Sequence, residues 1–482
     1  MPNERRNYVD GEWSVASTGE TIEVVNPADP SEVVDRYQRS SASDATAAVE
    51  AAVAAADEWG TTPAPQRGDV LREAGDALAD RKGELTERLT AEEGKTHAEA
   101  GGEVQRAIDI FHYYAAKTRD MGGAVKSASS SETTLYTVAE PLGVVSLITP
   151  WNYPVAIPAW KMAPALAAGN AVVIKPASAA PGPAHAIIEC LDEAGIADGA
   201  VNLVTGPGSE VGTEFATHDL VDAVSFTGSS QVGNTVYDQA TDDRKRVQME
   251  MGGKNPTLVM DSADVEEAAD VVAGGAFGVT GQACTATSRA IVHEDVYDAF
   301  VDAVVERAGN IEIGPGDEYD MGPQVTESEV EGTLEYIDIA ADEGAELVAG
   351  GDQPEGERFG DGYYVEPTVF ADVERDMRIA QEEVFGPVLA VIPVSDYEEA
   401  IDVCNDVEYG LAASLVSNDH SEINRFERDV EAGVVKINEA TTGLELHVPF
   451  GGFKDSSSET WREQGDAGLD FYTISKTIYE NY

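Results

Sequence analysis

The chain has 482 residues, 42% of them hydrophobic, and carries 31 basic against 89 acidic side chains for a net charge of −58. Its length exceeds one ordinary core and predicts two or three domains. The charge excludes a nucleic-acid partner, because nothing would neutralise phosphates across a broad face, and no apolar run approaches the roughly 18 residues of a membrane span.

Taken in chain order, helical and strand-like stretches alternate. Residues 43–59 are alanine-rich and open on Ser43-Asp44 as a cap, which predicts a helix; 66–93 and 98–117 predict two more. Residues 144–148 and 171–174 are short β-branched runs ending at Thr149-Pro150 and Lys175-Pro176, as buried parallel strands do. Residues 201–204 and 223–226 repeat the pattern, each followed by glycine and then a helix. A second series follows Gly252-Gly253, with strands at 257–260, 290–293 and 389–393. This βα repetition predicts a doubly wound α/β sheet. Residues 473–479 alternate like a terminal strand without an obvious partner in sequence, which suggests pairing between subunits.

The acid is spread along the chain, and the hydrophobic content argues against disorder. Such a surface repels itself at ordinary salt, whereas in molar salt the Debye length falls to ~3 Å and the repulsion is screened. A halophilic cytoplasm is the expected setting. Cys190, Cys284 and Cys404 are an odd number without metal-ligand spacing, which fits a reduced cytoplasmic protein and gives no support to a metal. No apolar segment follows Met1-Pro2-Asn3-Glu4-Arg5-Arg6, so no secretory signal is expected.

Cys284 is the focal residue. It lies among small neighbours in Gly281-Gln282-Ala283-Cys284-Thr285, where a thiol can meet a substrate unobstructed. Glu250, in Met249-Glu250-Met251-Gly252-Gly253, offers a carboxylate to activate the water that frees a covalent intermediate. Cysteine as nucleophile and glutamate as base suggest acyl chemistry through a thioester. In the first series, Gly206-Pro207-Gly208-Ser209-Glu210-Val211-Gly212 misses a GxGxxG fingerprint by one residue, since Val211 takes the last position. Phe226-Thr227-Gly228-Ser229 reads as strand, tight turn and helix start, with free amides and a hydroxyl for a pyrophosphate. Either segment alone also fits an ordinary βα turn.

Six motifs together resemble the NAD(P)-dependent aldehyde dehydrogenases: Thr149-Pro150-Trp151-Asn152-Tyr153-Pro154, Lys175-Pro176-Ala177-Ser178, Phe226-Thr227-Gly228-Ser229, Glu250-Met251-Gly252-Gly253-Lys254, Gly281-Gln282-Ala283-Cys284 and Glu382-Glu383-Val384-Phe385-Gly386-Pro387. They occur in the family's order and span nearly the whole chain. The resemblance implies a cofactor-binding domain at 1–122 and 142–252, a catalytic domain at 253–453, and an oligomerisation element at 123–141 and 454–482. It implies a homotetramer, with a dimer as the other arrangement.

The resemblance also implies roles. Cys284 attacks the aldehyde, Asn152 and the Cys284 amide hold the oxyanion, and Glu250 activates water; losing one oxyanion donor costs ~10²–10³ in turnover. Thr149, Pro150, Trp151, Gly208, Phe226, Thr227, Gly228, Ser229, Met251 and Gly252 surround the cofactor. Lys175 reaches the adenine ribose, Glu383 the nicotinamide ribose, and Phe385 packs near the ring. Ser178 departs from a glutamate found in many members; losing that charge beside Lys175 suggests NADP in preference to NAD. Glu250 favours a free acid as product over an acyl-CoA. Tyr153, Trp160 and Phe450 fall where the family lines its aldehyde tunnel.

Trp160 and Gly278 stand where succinic semialdehyde dehydrogenases place arginines, which counts against that substrate. The stretch 435–454 and Arg462-Glu463-Gln464-Gly465 resemble the 2,5-dioxopentanoate (α-ketoglutarate semialdehyde) dehydrogenases, which form 2-oxoglutarate at the end of pentose and sugar-acid breakdown. Burying that substrate's carboxylate unpaired costs several kcal/mol. Arg106, Lys161 and His447 are candidate cations, with Thr441, Thr442 or loop amides as alternatives. A broader aldehyde dehydrogenase acting on glyceraldehyde, betaine aldehyde or another semialdehyde is the second reading. A cysteine hydrolase needs a histidine partner, for which only His293 lies near in sequence, and a non-catalytic relative would lack Cys284, Asn152 or Glu250.

Overall fold

The structure is a computed structural model that describes residues 2–316 and 318–482. Short apolar runs become buried parallel strands, and the segments between them become covering helices. One seven-stranded sheet runs, in spatial order, Arg246–Glu250, Ala223–Thr227, Val144–Ile148, Ala171–Lys175, Val201–Leu203, Asn7–Val9 and Glu12–Ser14. Its first five strands are parallel, and the last two add antiparallel to the edge. From Val144–Ile148 the chain moves outward through Ala171–Lys175 and Val201–Leu203, then returns to Ala223–Thr227 on the other side. Such a reversal leaves a crevice at the carboxyl ends of the strands, where the loops diverge. The residues that follow these strands are Thr149 to Asn152, Gly228-Ser229 and Met251 to Gly253.

A second seven-stranded sheet runs Glu346–Ala349, Thr368–Ala371, Val388–Val394, Thr287–His293, Asn255–Val259, Ala412–Val416 and Val434–Ile437. All its pairs are parallel except the first. The chain passes directly from the end of Arg246–Glu250 into the start of Asn255–Val259. The carboxyl edge of the first sheet therefore adjoins the amino edge of the second, where Cys284 precedes Thr287–His293.

Three sequence expectations change. The first helix is Ala42–Thr61, and its cap is Ser41 rather than Ser43; Asp44 closes a capping box by accepting from the Ser41 amide at 2.8 Å. The single helix expected over 66–93 is two, Ala64–Asp80 and Lys82–Glu93. Arg81 breaks it with a ψ of 9°, and its guanidinium is held by Glu189 and Glu193 on Gly182–Glu193. The terminal strand, Thr473–Asn481, finds its partner within the chain: it pairs antiparallel with Thr133–Pro141, from Thr473 opposite Pro141 to Asn481 opposite Thr133.

Candidate active site

Cys284 is half-buried and presented by a strained loop. Val279, Thr280 and Gly281 all take positive φ, at 54°, 57° and 69°. For the two β-branched residues this conformation costs about 1–3 kcal/mol each and persists only where the surroundings over-determine it. Here they do. The Val279 amide donates to Glu99 Oε1 at 2.7 Å, Thr280 Oγ1 donates to the Gly322 carbonyl at 3.1 Å, and the Val325 amide donates to Gln282 Oε1 at 3.0 Å. Downstream, Asn255 Nδ2 donates to the carbonyls of Cys284 and Ala286, both at 2.8 Å. The sulfur is thereby held on a fixed backbone.

Two cavities share Cys284 in their walls. The first is lined by Pro150, Trp151, Asn152, Thr227, Gly228, Ser229, Met251, Gly252, Glu383 and Phe385, together with Glu329. This is the crevice of the strand reversal, and it brings ten of the sequence-predicted residues together beside the thiol. Phe385, at φ 58°, sets its ring edge-on to Trp151 at 5.4 Å. Glu383 accepts from the Gly253 amide at 2.9 Å, and burial pushes its carboxyl up to about 7. A Cβ at Gly252 would collide with that carboxylate, so any other residue there would displace the Glu383 head group.

Thr149, Lys175, Ser178, Gly208 and Phe226 do not line this cavity. Phe226 lies beneath it, under Gly228 and Gly233. Lys175 and Ser178 continue the same sheet edge one strand along, paired at Ile148 opposite Lys175. Lys175 Nζ donates to the Pro176 carbonyl at 2.9 Å and Ser178 Oγ to the Gly206 carbonyl at 3.2 Å. Burial pulls the Lys175 ammonium down to about 8. Gly208 is exposed in the π-helical turn Gly208–Gly212.

The second cavity is lined by Tyr153, Trp160, Arg106, Lys95, Glu99, Glu103, Val279, Thr285 and the loop at Gly443-Leu444, again with Cys284. Phe450 does not line it; its ring packs against Trp160 at 6.2 Å, and its backbone pairs with Glu463. The three cations considered from sequence separate here. Lys161 is buried and spent on Glu463, Ser225 Oγ (2.8 Å) and Gln248 Oε1 (3.2 Å). His447 is 59% exposed beside Glu445 and lines neither cavity. Arg106 alone of the three lines the second cavity. Thr441 is buried on Thr287 at 2.8 Å.

The site's electrostatics favour protonated groups at rest. Burial, with Glu250 and Glu383 adding, pushes the Cys284 thiol well above its ordinary value. Burial, then the charge of Glu463, raises Glu250 well above the usual carboxylate range, against the opposing pull of Lys161 and Arg462. Glu250 Oε1 accepts from Gln248 Nε2 at 3.3 Å, while Oε2 has no partner among the described residues. One oxygen is therefore free to accept from water. Asn152 spends one amide hydrogen on the Gln282 carbonyl at 3.0 Å and keeps the other. The Cys284 backbone amide has no acceptor among the described residues. These are two donors beside one sulfur, an oxyanion hole in the making.

Sequence reasoning missed the support behind Asn152. Buried Lys95 donates to the Asn152 carbonyl and pairs with Glu93 at 3.2 Å and Glu103 at 3.0 Å, with its Nζ 4.4 Å from the Tyr153 ring centre. No spacing rule marks that triad beyond Glu-x-Lys within one turn. Lys95→Met strands Glu103 as an uncompensated buried charge, which costs about 3–5 kcal/mol. A drop of that size in denaturant-unfolding free energy, with kcat reduced, is the expected outcome.

No histidine lines either cavity among the described residues; His293 Nδ1 accepts from the Asp295 amide at 3.2 Å, at the end of its strand. The cysteine–histidine hydrolase arrangement is therefore missing its base.

Comparison with known proteins agrees with this geometry. The model of the aldehyde dehydrogenase family matches residues 13–478. The alpha-ketoglutarate semialdehyde dehydrogenase of Haloferax volcanii is 68% identical over 100% of both chains. The 2,5-dioxopentanoate dehydrogenase of Saccharolobus solfataricus is 45% identical over 97% of this chain and 98% of its own. Among solved structures, betaine aldehyde dehydrogenase from Staphylococcus aureus in complex with NAD+ superposes with a TM-score of 0.96 at 36% identity, covering 99% of this chain and 94% of that one. The chain belongs to the aldehyde dehydrogenase family.

Proposed function

We propose that the protein oxidises 2,5-dioxopentanoate to 2-oxoglutarate with a nicotinamide nucleotide, through a thioester on Cys284. The observation that carries this reading is one half-buried thiol shared by two cavities, with Asn152 in the wall of the first and Glu250, which lines neither, near enough for its charge to raise the thiol. The semialdehyde is supported by the names and extent of the two relatives above.

The first cavity suits a nicotinamide nucleotide: it is lined by Glu383 and by Thr227, whose buried hydroxyl has no hydrogen-bond partner among the described residues. A bound nucleotide supplies the hydride acceptor. The remaining work belongs to the chain. Cys284 releases its thiol proton to solvent as its sulfur adds to the aldehyde carbon from the second cavity. The free Asn152 amide hydrogen and the Cys284 amide hold the oxygen as it gains charge. After hydride leaves that carbon, a thioester remains on Cys284. Glu250 takes a proton from water, hydroxide adds to the thioester, the C–S bond breaks, and the acid departs.

NADP is the preferred nucleotide in this reading. Ser178 brings no negative charge beside Lys175, and the Lys175 ammonium, destabilised by burial, gains from a 2′-phosphate. Ser178→Glu is expected to shift the ratio of kcat/KM for NADP over NAD at least tenfold towards NAD. Assembly as a homotetramer, or a dimer, is supported by the exposed apolar ribbon of Val125, Ile474 and Tyr479. A cytoplasmic setting is supported by three free cysteines.

The test is steady-state kinetics in molar salt with both nucleotides and a panel of 2,5-dioxopentanoate, glyceraldehyde, betaine aldehyde and pentanal. A kcat/KM for 2,5-dioxopentanoate no better than for the simple aldehydes rejects this substrate in favour of a broad-specificity enzyme.

A further inference from the structure

If the substrate is 2,5-dioxopentanoate, its far end carries a carboxylate that the second cavity must read. We infer that Arg106 takes this carboxylate and that the Trp160 indole N–H donates to an oxygen of the same end. The assignment rests on the substrate reading above and on three observations.

First, every charged side chain in the cavity wall except Arg106 is already engaged by an ion pair or by several hydrogen bonds. Glu99 is spent on the Val279 amide through Oε1 and on the Thr96 amide and hydroxyl through Oε2. Glu103 accepts from the amides of Val155 and Ala156 at 2.8 and 3.0 Å and pairs with Lys95. Lys95 is divided between Glu93 and Glu103. Arg106 enters no ion pair among the described residues: its one hydrogen bond runs from Nη2 to the Leu444 carbonyl at 2.5 Å. In a chain with 89 acids to 31 bases, an arginine half-buried in a cavity wall with no carboxylate paired to it among the described residues is conspicuous. Burial disfavours its charge there, and Glu445 and Asp109 offset this only through space.

Second, Trp160 is 8% exposed, lines the same cavity, and its Nε1 has no hydrogen-bond partner among the described residues. A buried indole N–H ordinarily finds an acceptor, because leaving a buried donor unmade costs about 1–3 kcal/mol. A substrate oxygen supplies one.

Third, the other side chains considered from sequence are spent or misplaced: Lys161 on Glu463, Thr441 on Thr287, and His447 and Thr442 outside the cavity lining. An arginine fork suits a carboxylate by accommodating both oxygens at once. The bond to Leu444 fixes one end of that fork on the loop at Gly443-Leu444, which leaves the remaining N–H groups available.

The experiment compares kcat/KM for 2,5-dioxopentanoate with kcat/KM for pentanal, which has the same carbon count and lacks both the carboxylate and the 2-oxo oxygen. In the wild type the ratio is high. In Arg106→Gln it falls about 10²-fold, mostly through KM, the loss expected when one partner of a desolvated charge pair is removed. Arg106→Lys keeps part of it, and Trp160→Phe lowers the ratio about tenfold. An undiminished ratio in Arg106→Gln overturns the assignment while the substrate reading stands. A wild-type ratio near one overturns the substrate reading, and the assignment falls with it. Pentanal turnover in each variant reports that the fold survives.

Discussion

Cys284→Ala is expected to lower aldehyde oxidation by at least about 10⁴-fold, while nicotinamide nucleotide binding, followed by fluorescence titration, persists. Removing a nucleophile leaves only the catalysis that positioning and oxyanion donors can supply. The loop argues that the loss is chemical rather than structural. Its strained segment at Val279 and Thr280 is held by Glu99, Gly322 and Val325, and the carbonyl of residue 284 is held by Asn255, none through the sulfur. Cys284→Ser is expected to fare little better, because a hydroxyl in the same buried, acidic surroundings that raise the thiol gives up its proton even less readily. Turnover by the alanine variant within tenfold of wild type would remove the covalent route.

Glu250→Gln is expected to separate the two halves of the reaction. The amide retains the shape but cannot take a proton from water, so deacylation slows by about 10²–10⁴-fold. The first half proceeds, and mixing with excess aldehyde and nucleotide gives a burst approaching one reduced nucleotide per active site, followed by a slow steady state. The pH dependence has a defined sign. Glu250 works only when ionised, and burial with Glu463 nearby holds its carboxyl well above the ordinary range. Wild-type deacylation therefore rises with pH through a midpoint above the ordinary carboxylate range. Glu463→Gln removes a like charge and shifts that rise to lower pH. An equal loss of burst and steady state in Glu250→Gln would place the carboxylate in the first half instead.

Much of the fold was legible because fully buried parallel strands leave a plain mark: Val144–Ile148, apolar but for Ser146, and Ala171–Lys175, apolar up to its last residue, are stopped by Thr-Pro and Lys-Pro. Asn7–Val9 and Glu12–Ser14 were invisible because three-residue strands at a sheet edge carry no period. The break at Arg81 left no proline signal, and the Arg81 guanidinium ties instead to Glu189 and Glu193 on another helix, a contact no local pattern announces. The partner of Thr473–Asn481 lies more than three hundred residues away, and alternation in one strand does not encode its neighbour.

At the site, Cys284, Asn152 and Glu250 stood out through motif spacing, and the strand reversal explains why their loops meet. The charge partners did not stand out. Arg106, Lys161 and His447 look equivalent in sequence, and only Glu463, 302 positions from Lys161, distinguishes the second from the first. Among 89 acidic residues the ones that matter are picked out by burial, as with Glu93, Glu103 and Glu463, and burial is a property of the folded chain.

Mass spectrometry of Glu250→Gln, quenched in acid after mixing with NADP and 2,5-dioxopentanoate, bears most directly on the chemistry. The chain should gain the mass of one acyl group, and the peptide containing Cys284 should carry it as a hydroxylamine-labile thioester. A burst of reduced nucleotide with that cysteine unmodified, or an acyl group on Cys190 or Cys404, contradicts the account.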